Sequence, residues 1–262
     1  MKKKQLLDKG IFIIVVLLIW HFIASLNLWP NYLFPSPLQV GETVISRFQD
    51  GSFGQALLIS FRRLLTGYFL SIVLGMALGI LIALSKRFDD LLSPFILALQ
   101  SVPSVVWLPL ALLWFSMGEA AIIAVVVLGG TWNMVLAASS GIKNVDPLYK
   151  KAALTLGSSK SQLFRKVIFP ASIPHLITGL RLSWAFSWRA LMAGELLGSG
   201  TGLGQILMWG RDMGNMSLVL AVIFLIGTIG YFTDNYLFRK IENSILQKWG
   251  LHNKQNKGEI AL

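Results

Sequence analysis

The sequence predicts an all-α, polytopic membrane protein with six transmembrane helices. Three observations carry that expectation. Of the 262 residues, 55% are hydrophobic and only 13% are charged, with a mean hydropathy of +0.66; a soluble domain usually carries about 25% charged residues. Six apolar runs of 18 to 25 residues follow one another along the chain, each long enough to cross a bilayer core of about 30 Å as a helix. Lys and Arg gather in alternate connections between those runs. This composition excludes a disordered chain, a collagen-like chain and an ordinary soluble enzyme.

The runs are Ile11–Leu28, Leu64–Leu84, Leu91–Phe115, Ala120–Ala138, Ile173–Leu197 and Leu218–Phe238. Lipid offers no partner for backbone N–H and C=O groups, so a spanning segment must satisfy them internally. The runs lack the period-two alternation of barrel strands, and helices are therefore expected. The first, preceded by Met1-Lys2-Lys3-Lys4, has the outline of a signal peptide. Its apolar core is long for one, no small-x-small cleavage site follows, and a membrane helix is expected instead.

Between the first two spans, Trp29, Pro30, Tyr32, Pro35 and Pro37 suit an interfacial anchor and turn, with a short interfacial helix over Pro37–Phe48. In the second span, Ser71, Gly75, Gly79 and Ala83 recur every four residues and share one face, which suits close helix packing in lipid. The third contains Pro94, Pro103 and Pro109 beside Gln100 and Ser101. Proline frees carbonyls and bends the axis; the bend either lines a polar pathway or only shapes packing.

With the N-terminus inside, residues 1–10, 85–90, 139–172 and 239–262 are cytoplasmic and hold 17 of the 23 Lys and Arg. The opposite side holds Arg47, Arg62, Arg63 and Arg211. This asymmetry predicts cytoplasmic N- and C-termini. It also accounts for a net charge of +11 without nucleic acid as a partner. There is no cysteine, and His21, His175 and His252 are too scattered to suggest a metal site. The polar stretch His252–Leu262 is expected to be loose.

The connection between spans four and five is long for a simple link. Asp146 suits an N-cap and Pro147 the first helical position. Gly157 suits the stop, because glycine adopts positive φ without penalty. Ser158 or Ser159 can cap a second helix over Gln162–Val167, with Pro170 and Pro174 marking entry into span five. Leu148, Ala152 and Leu156 can form an apolar stripe beside Lys150 and Lys151. The pattern fits either a hairpin packed on its own protein or a surface that docks a partner.

Within this loop, Ala152-Ala153, three residues, Gly157, nine residues and Val167-Ile168-Phe169-Pro170 resemble the EAA loop of ABC importer permeases. The departures are Lys151 for Glu, Val167 for Ile and Phe169 for Leu. Trp107-Leu108-Pro109-Leu110, Met117-Gly118-Glu119-Ala120, Thr178-Gly179-Leu180-Arg181, Glu195 and Gly202-Leu203-Gly204 are similar to the nitrate/sulfonate/taurine-type branch. The resemblance implies a type I ABC importer permease fold: a single membrane domain over 1–262, with a core of about 60–240 and a cytoplasmic coupling loop at 146–170. It implies that Lys151, Ala152, Ala153, Gly157 and Pro170 couple the chain to an ABC ATPase dimer. It further implies a second permease copy, expected as a homodimer, an extracytoplasmic solute-binding protein, and surrounding lipid in the cytoplasmic membrane of a prokaryote.

No cofactor is expected on the chain itself; ATP and Mg²⁺ would sit on the partner ATPase. The chain has no P-loop, and Gly198-Ser199-Gly200-Thr201-Gly202-Leu203-Gly204 lacks the dinucleotide spacing. That stretch is expected to be an outer loop re-entering the membrane edge. The implied solute is a small anion, first an alkanesulfonate or taurine, then nitrate, with a thiamine-precursor pyrimidine as the neutral alternative. An ATP-independent channel is a reading from another class. A membrane-embedded enzyme lacks the clustered acids and histidines it would need.

Span five carries three charges, which are costly in lipid and usually face a partner or a water-filled path. Arg181, Trp188 and Glu195 recur every seven residues and lie within about 40° of one another. Arg189 is about 80° from Arg181 and is the better placed contact for an anion. The expected pathway set is Gln100, Ser101, Trp107, Trp188, Arg189 and Glu195. The competing reading makes Arg189 and Glu195 structural partners across helices.

Overall fold

A computed structural model describes residues 2–26, 28–198 and 200–248. The stretch His252–Leu262, expected to be loose, lies outside the described residues. The elements in order are α1 (Lys2–Ser25), α2 (Pro37–Gln49), α3 (Ser52–Leu84), α4 (Lys86–Ser101), a 3₁₀ turn (Ser104–Trp107), α5 (Leu108–Phe115) and α6 (Glu119–Lys143). There follow α7 (Pro147–Thr155), α8 (Lys160–Leu163), a π segment (Phe164–Ile168), α9 (Phe169–Leu197), α10 (Leu203–Asp212), α11 (Met216–Phe232), a second π segment (Thr233–Phe238) and α12 (Arg239–Lys248). No strand occurs among the described residues.

Four of the expected spans are single helical stretches long and apolar enough to cross a membrane: Leu7–Ser25, Ser52–Leu84, Glu119–Lys143 and Met216–Gln247. The third expected span is broken. Its halves, Lys86–Ser101 and Ser104–Phe115, meet at 95°, because Pro103 has no N–H to continue the first helix and instead precedes the 3₁₀ turn. The remaining expected span corresponds to α9, continuous over 29 residues and thus about 43 Å long; four stretches, or five with the bent pair, are long and apolar enough to cross rather than the six expected, and α9 is not among them. Arg181, Arg189 and Glu195 make it less apolar than the others.

Two boundaries differ from expectation. α3 begins at Ser52 rather than Leu64 and runs for 33 residues, about 50 Å and longer than a bilayer core. The carboxylate of Asp50 accepts the Ser52 N–H at 2.8 Å and holds the start of this helix; those hydrogen bonds keep its pKa below the usual carboxylate range. At the other end of the chain, α8, the π segment and α9 follow without a break, so Pro170 and Pro174 do not mark an entry into a separate helix. The Phe169 N–H reaches back to Phe164 O. That wider turn lets the helix continue where a proline ring would otherwise crowd the preceding carbonyl.

By contact the chain divides into two compact units, Met1–Arg62 with Glu195–Thr228, and Arg63–Gly194 with Ile229–Leu262. In the first unit, α2 opens on a capping box formed by Ser36 and Gln39, as a Pro37 start requires. The Trp20 indole N–H donates to Pro35 O at 3.1 Å and ties α1 to the approach to α2. Phe53 is buried and meets Phe48 edge-on at 5.5 Å. Most apolar side chains of α1, from Ile11 to Leu18, stay exposed.

The second unit is built around α6, whose Ala121, Ile122, Val125, Val126, Met134, Val135 and Ala138 are all buried. The glycine face of α3 lies against it: a Cβ at Gly75 would stand 2.5 Å from Met134 Cβ, and one at Gly79 would stand 2.6 Å from Ala138 Cβ. This is the close approach that the four-residue spacing predicts. α9 packs on the same helix through hydroxyls. Ser183 donates to Gly130 O at 2.9 Å, and Ser187 donates to Val126 O at 3.3 Å. Arg181 donates to both Asp234 oxygens at 2.6 and 2.7 Å and to Glu242 at 2.8 Å, which ties α9 to the final helical stretch.

Candidate functional site

The loop expected to couple has the predicted local chemistry. Asp146 caps α7 by accepting the Leu148 N–H at 2.7 Å, with Pro147 at the first position. Gly157 has φ +79 and ends the helix, a conformation in which an L side chain is strained. Ser159 and Gln162 form a capping box that starts α8. Leu148, Tyr149, Leu154 and Leu156 are exposed, Leu156 to 86%. Lys151, Ala152 and Gly157 are exposed too, whereas Ala153 is buried and Pro170 is half-buried within α9. A Cβ at Gly157 would meet nothing within 4 Å. The expected stripe of Leu148, Ala152 and Leu156 therefore faces outward as an apolar surface on a capped, defined turn.

The two faces of α9 separate the expected pathway residues. Arg181, Trp188 and Glu195 occupy the packed face. Trp188 is 8% exposed and its indole lies against Gly230. Glu195 has no exposed surface. Its carboxylate accepts from the Ser60 hydroxyl at 2.8 Å and from the Gly204 N–H at 3.0 Å, while the Leu203 N–H donates to Ser60 Oγ at 3.0 Å. Gly202 caps the short helix α10 here, and a Cβ on it would stand 2.5 Å from Glu195 Oε1. Gly202, Leu203 and Gly204 therefore form a cradle for a buried carboxylate at a helix start.

The other face of α9 is open. His175, Thr178, Leu182, Phe186 and Arg189 recur at three- and four-residue intervals and are all exposed; they fall within an arc of about 80°. The Arg189 guanidinium sits 5.3 Å over the Phe186 ring. Beside this face lies a cavity of about 520 Å³ lined by Gln100, Asn133, Ser140, Lys143, His175 and Thr178 among others. A second, of about 280 Å³, is lined by Gln100, Ser101, Ser104, Gly129, Asn133 and Phe186 among others. Neither lining includes an Asp or Glu among the described residues. Lys143 binds Asp89 at 2.6 Å, and Ser93 donates to the same oxygen at 2.6 Å.

Gln100 and Ser101 thus line cavities; Arg189 lines neither, but lies over Phe186, which borders the smaller one. Trp107 is half-buried, and its indole N–H is buried with no hydrogen-bond partner among the described residues. Sequence reasoning missed Ser60, Asn133, Lys143, His175 and Thr178. Ser60 and Glu195 are 135 residues apart, and nothing in the linear pattern links them. The three- and four-residue spacing of His175, Thr178 and Leu182 was the signal available for the two on α9; Asn133 and Lys143 lie on α6 and that spacing does not reach them.

Membrane-crossing helices, a capped turn with an exposed apolar stripe, and polar cavities along a broken helix define a membrane transport subunit. The chain belongs to the family of binding-protein-dependent transport system inner membrane components, whose pattern matches residues 71–242. It is 32% identical over 235 residues to the putative aliphatic sulfonates transport permease protein of Bacillus subtilis (strain 168), covering 90% of this chain and 84% of that protein. It is 30% identical over 242 residues to the nitrate import permease protein of Synechocystis sp., covering 89% and 87%. Among solved structures it resembles a chain of the MetNI methionine ABC transporter in an inward facing conformation. That match has a TM-score of 0.67 and 17% identity over 75% of this chain and 97% of that one; at such identity the likeness shows the fold. The protein is therefore a multi-pass permease subunit of an ABC importer and not an enzyme. Membership implies an ATPase and a solute-binding protein as partners.

Proposed function

We propose that this subunit passes a small oxyanion, an alkanesulfonate or taurine first and nitrate second, into the cell. The observation that carries the reading is the larger cavity, which offers amide, hydroxyl, imidazole and ammonium groups and no carboxylate in its lining. Hydrogen-bond donors suit an anion, although Lys143 and Thr178 also meet the carboxylates of Asp89 and Glu242 at 2.6 and 3.0 Å, and the volume lies within the roughly 300–1,000 Å³ usual for small-ligand sites. The relatives named for sulfonates and nitrate support the same chemistry. Gln100, Ser101 and Arg189 are the pathway residues we assign. Trp188 and Glu195 we assign to packing.

The capped turn around α7 docks the ATPase dimer through Leu148, Ala152 and Leu156, with Gly157 ending the docking helix. ATP and Mg²⁺ bind the ATPase, and closure of that dimer moves the permease helices as rigid bodies. Two copies of the chain flank the path as a homodimer in lipid, with both termini cytoplasmic. The excess of Lys and Arg in alternate connections supports that orientation.

The test is uptake into proteoliposomes holding the permease, its ATPase and its binding protein. Labelled taurine, ethanesulfonate, nitrate and a thiamine-precursor pyrimidine are offered with and without ATP. ATP-dependent uptake of one or more anions is expected. Uptake of the pyrimidine alone would overturn the anion reading, and equal flux without ATP would point to a channel.

A further inference from the structure

The two cavities share two residues, Gln100 and Asn133. These are joined to each other: Gln100 Nε2 donates to Asn133 Oδ1 at 3.0 Å. Asn133 is 7% exposed and is itself oriented by donating Nδ2 to Gly129 O, one turn back on α6, at 3.3 Å. The amide pair therefore stands in the wall between the cavities, held from both sides.

The cavities are consecutive along both helices that border them. On α6 the smaller touches Gly129 to Asn133, and the larger touches Asn133 to Lys143. On α9 the smaller touches Phe186, and the larger touches His175 to Leu182. The open face of α9 runs past both and ends at Arg189, above Phe186. Gln100 sits in the last turn of α4, one residue before Ser101 ends that helix at the 95° break. A backbone break is stable in a membrane only where it is buried in protein or lines a polar cavity, and here it borders the smaller cavity through Ser101 to Ser104.

We propose that the Gln100–Asn133 amide pair is the selectivity element of an oxyanion path, separating an entry station beneath Arg189 from a wider station bordered by Ser140, Thr178 and His175. The inference rests on the anion reading given above and deepens it. A passing oxyanion exchanges water for the second N–H of each amide and for hydroxyls that turn from their resting acceptors, Leu136 O for Ser140 and Glu242 for Thr178; none of these supplies a full countercharge. Lys143, the one Lys or Arg among the lining residues described, is already engaged by Asp89 at 2.6 Å. Neutral donors fit a path, because a site on it must bind well enough to admit the ion and weakly enough to release it. A carboxamide also differs from a carboxylate in one respect that transport reads directly: a carboxylate of the same shape turns a donor into an acceptor with a negative charge.

The experiment uses the complete transporter in proteoliposomes. Gln100→Glu and Asn133→Asp are each expected to lower uptake of nitrate and taurine about tenfold or more, with the ATPase still bound. The natural chain has no cysteine, so single-cysteine variants report independently of any effect of the buried charges on folding. Ser140→Cys is expected to react with an anionic methanethiosulfonate, to lose uptake when labelled, and to be protected by the transported anion. Leu113→Cys, on the exposed side of α5, is expected to show no such protection. Wild-type uptake by both charge variants overturns the proposal, as does labelling of Ser140→Cys that leaves uptake intact. If the wild type carries none of the anions, it is the anion reading itself that fails, and the filter falls with it.

Discussion

A carboxylate with no exposed surface needs donors, and Glu195 finds them in Ser60 and the Gly204 N–H. The arrangement depends on residues with little room to vary, since a Cβ at Gly202 would meet the carboxylate at 2.5 Å and one at Gly204 would meet Glu195 Cβ at 2.6 Å. Leaving a buried acceptor short of a donor costs about 1–3 kcal/mol. Ser60→Ala is therefore expected to lower the apparent melting temperature of the purified protein in detergent, while Ser60→Thr, which keeps a hydroxyl, lowers it less. Equal stability of Ser60→Ala and wild type would show that the hydroxyl is dispensable. Glu195 is legible in the sequence as a charge in a span, but its partner is not, because the long helix α3 delivers Ser60 from far away in the chain.

At the scale of the element, α7 and its turn are the part of the molecule most fully written in local sequence. Asp146, Pro147, Gly157 and Ser159 each act within a few residues of themselves, through a cap, a fixed φ, a positive φ and a capping box. The positive φ at Gly157 is open to substitution in space but not in conformation. Asparagine tolerates the left-handed region, whereas a β-branched residue pays roughly 1–2 kcal/mol there. Gly157→Asn is expected to keep the ATPase bound on co-purification, and Gly157→Val to release a measurable fraction of it. The reverse order would mean that shape at the turn does not govern docking. Elements set by neighbours across the fold were less legible. α3 starts twelve residues before its apolar run because helix formation needs only hydrogen bonds and a cap, not apolarity. The break after Ser101 was legible as prolines but not as a 95° bend, since the angle depends on what each half packs against.

For the whole molecule, the function proposed above requires that energy released on the partner ATPase reach the cavities along α6 and α9. It assigns that contact to the exposed leucines of α7. Leu148→Glu combined with Leu156→Glu places two charges on an interface that must desolvate, and is expected to abolish both ATPase co-purification and ATP-dependent uptake while the protein still inserts in membranes. Retained uptake would move the docking surface elsewhere. Composition, run length and the distribution of Lys and Arg determined by themselves that the chain is a multi-pass helical membrane protein, because lipid imposes one backbone solution on any long apolar run. The spacing from Ala152 to Pro170 pointed to the kind of transporter only through its resemblance to the EAA loop, while the caps and turn that shape it are local. Only the tertiary structure decided which charges of α9 are buried partners and which stand on its open face. That choice depends on which face of one helix its neighbours cover, and residues such as Ser60, Asn133 and Asp234 come from elements remote in the chain.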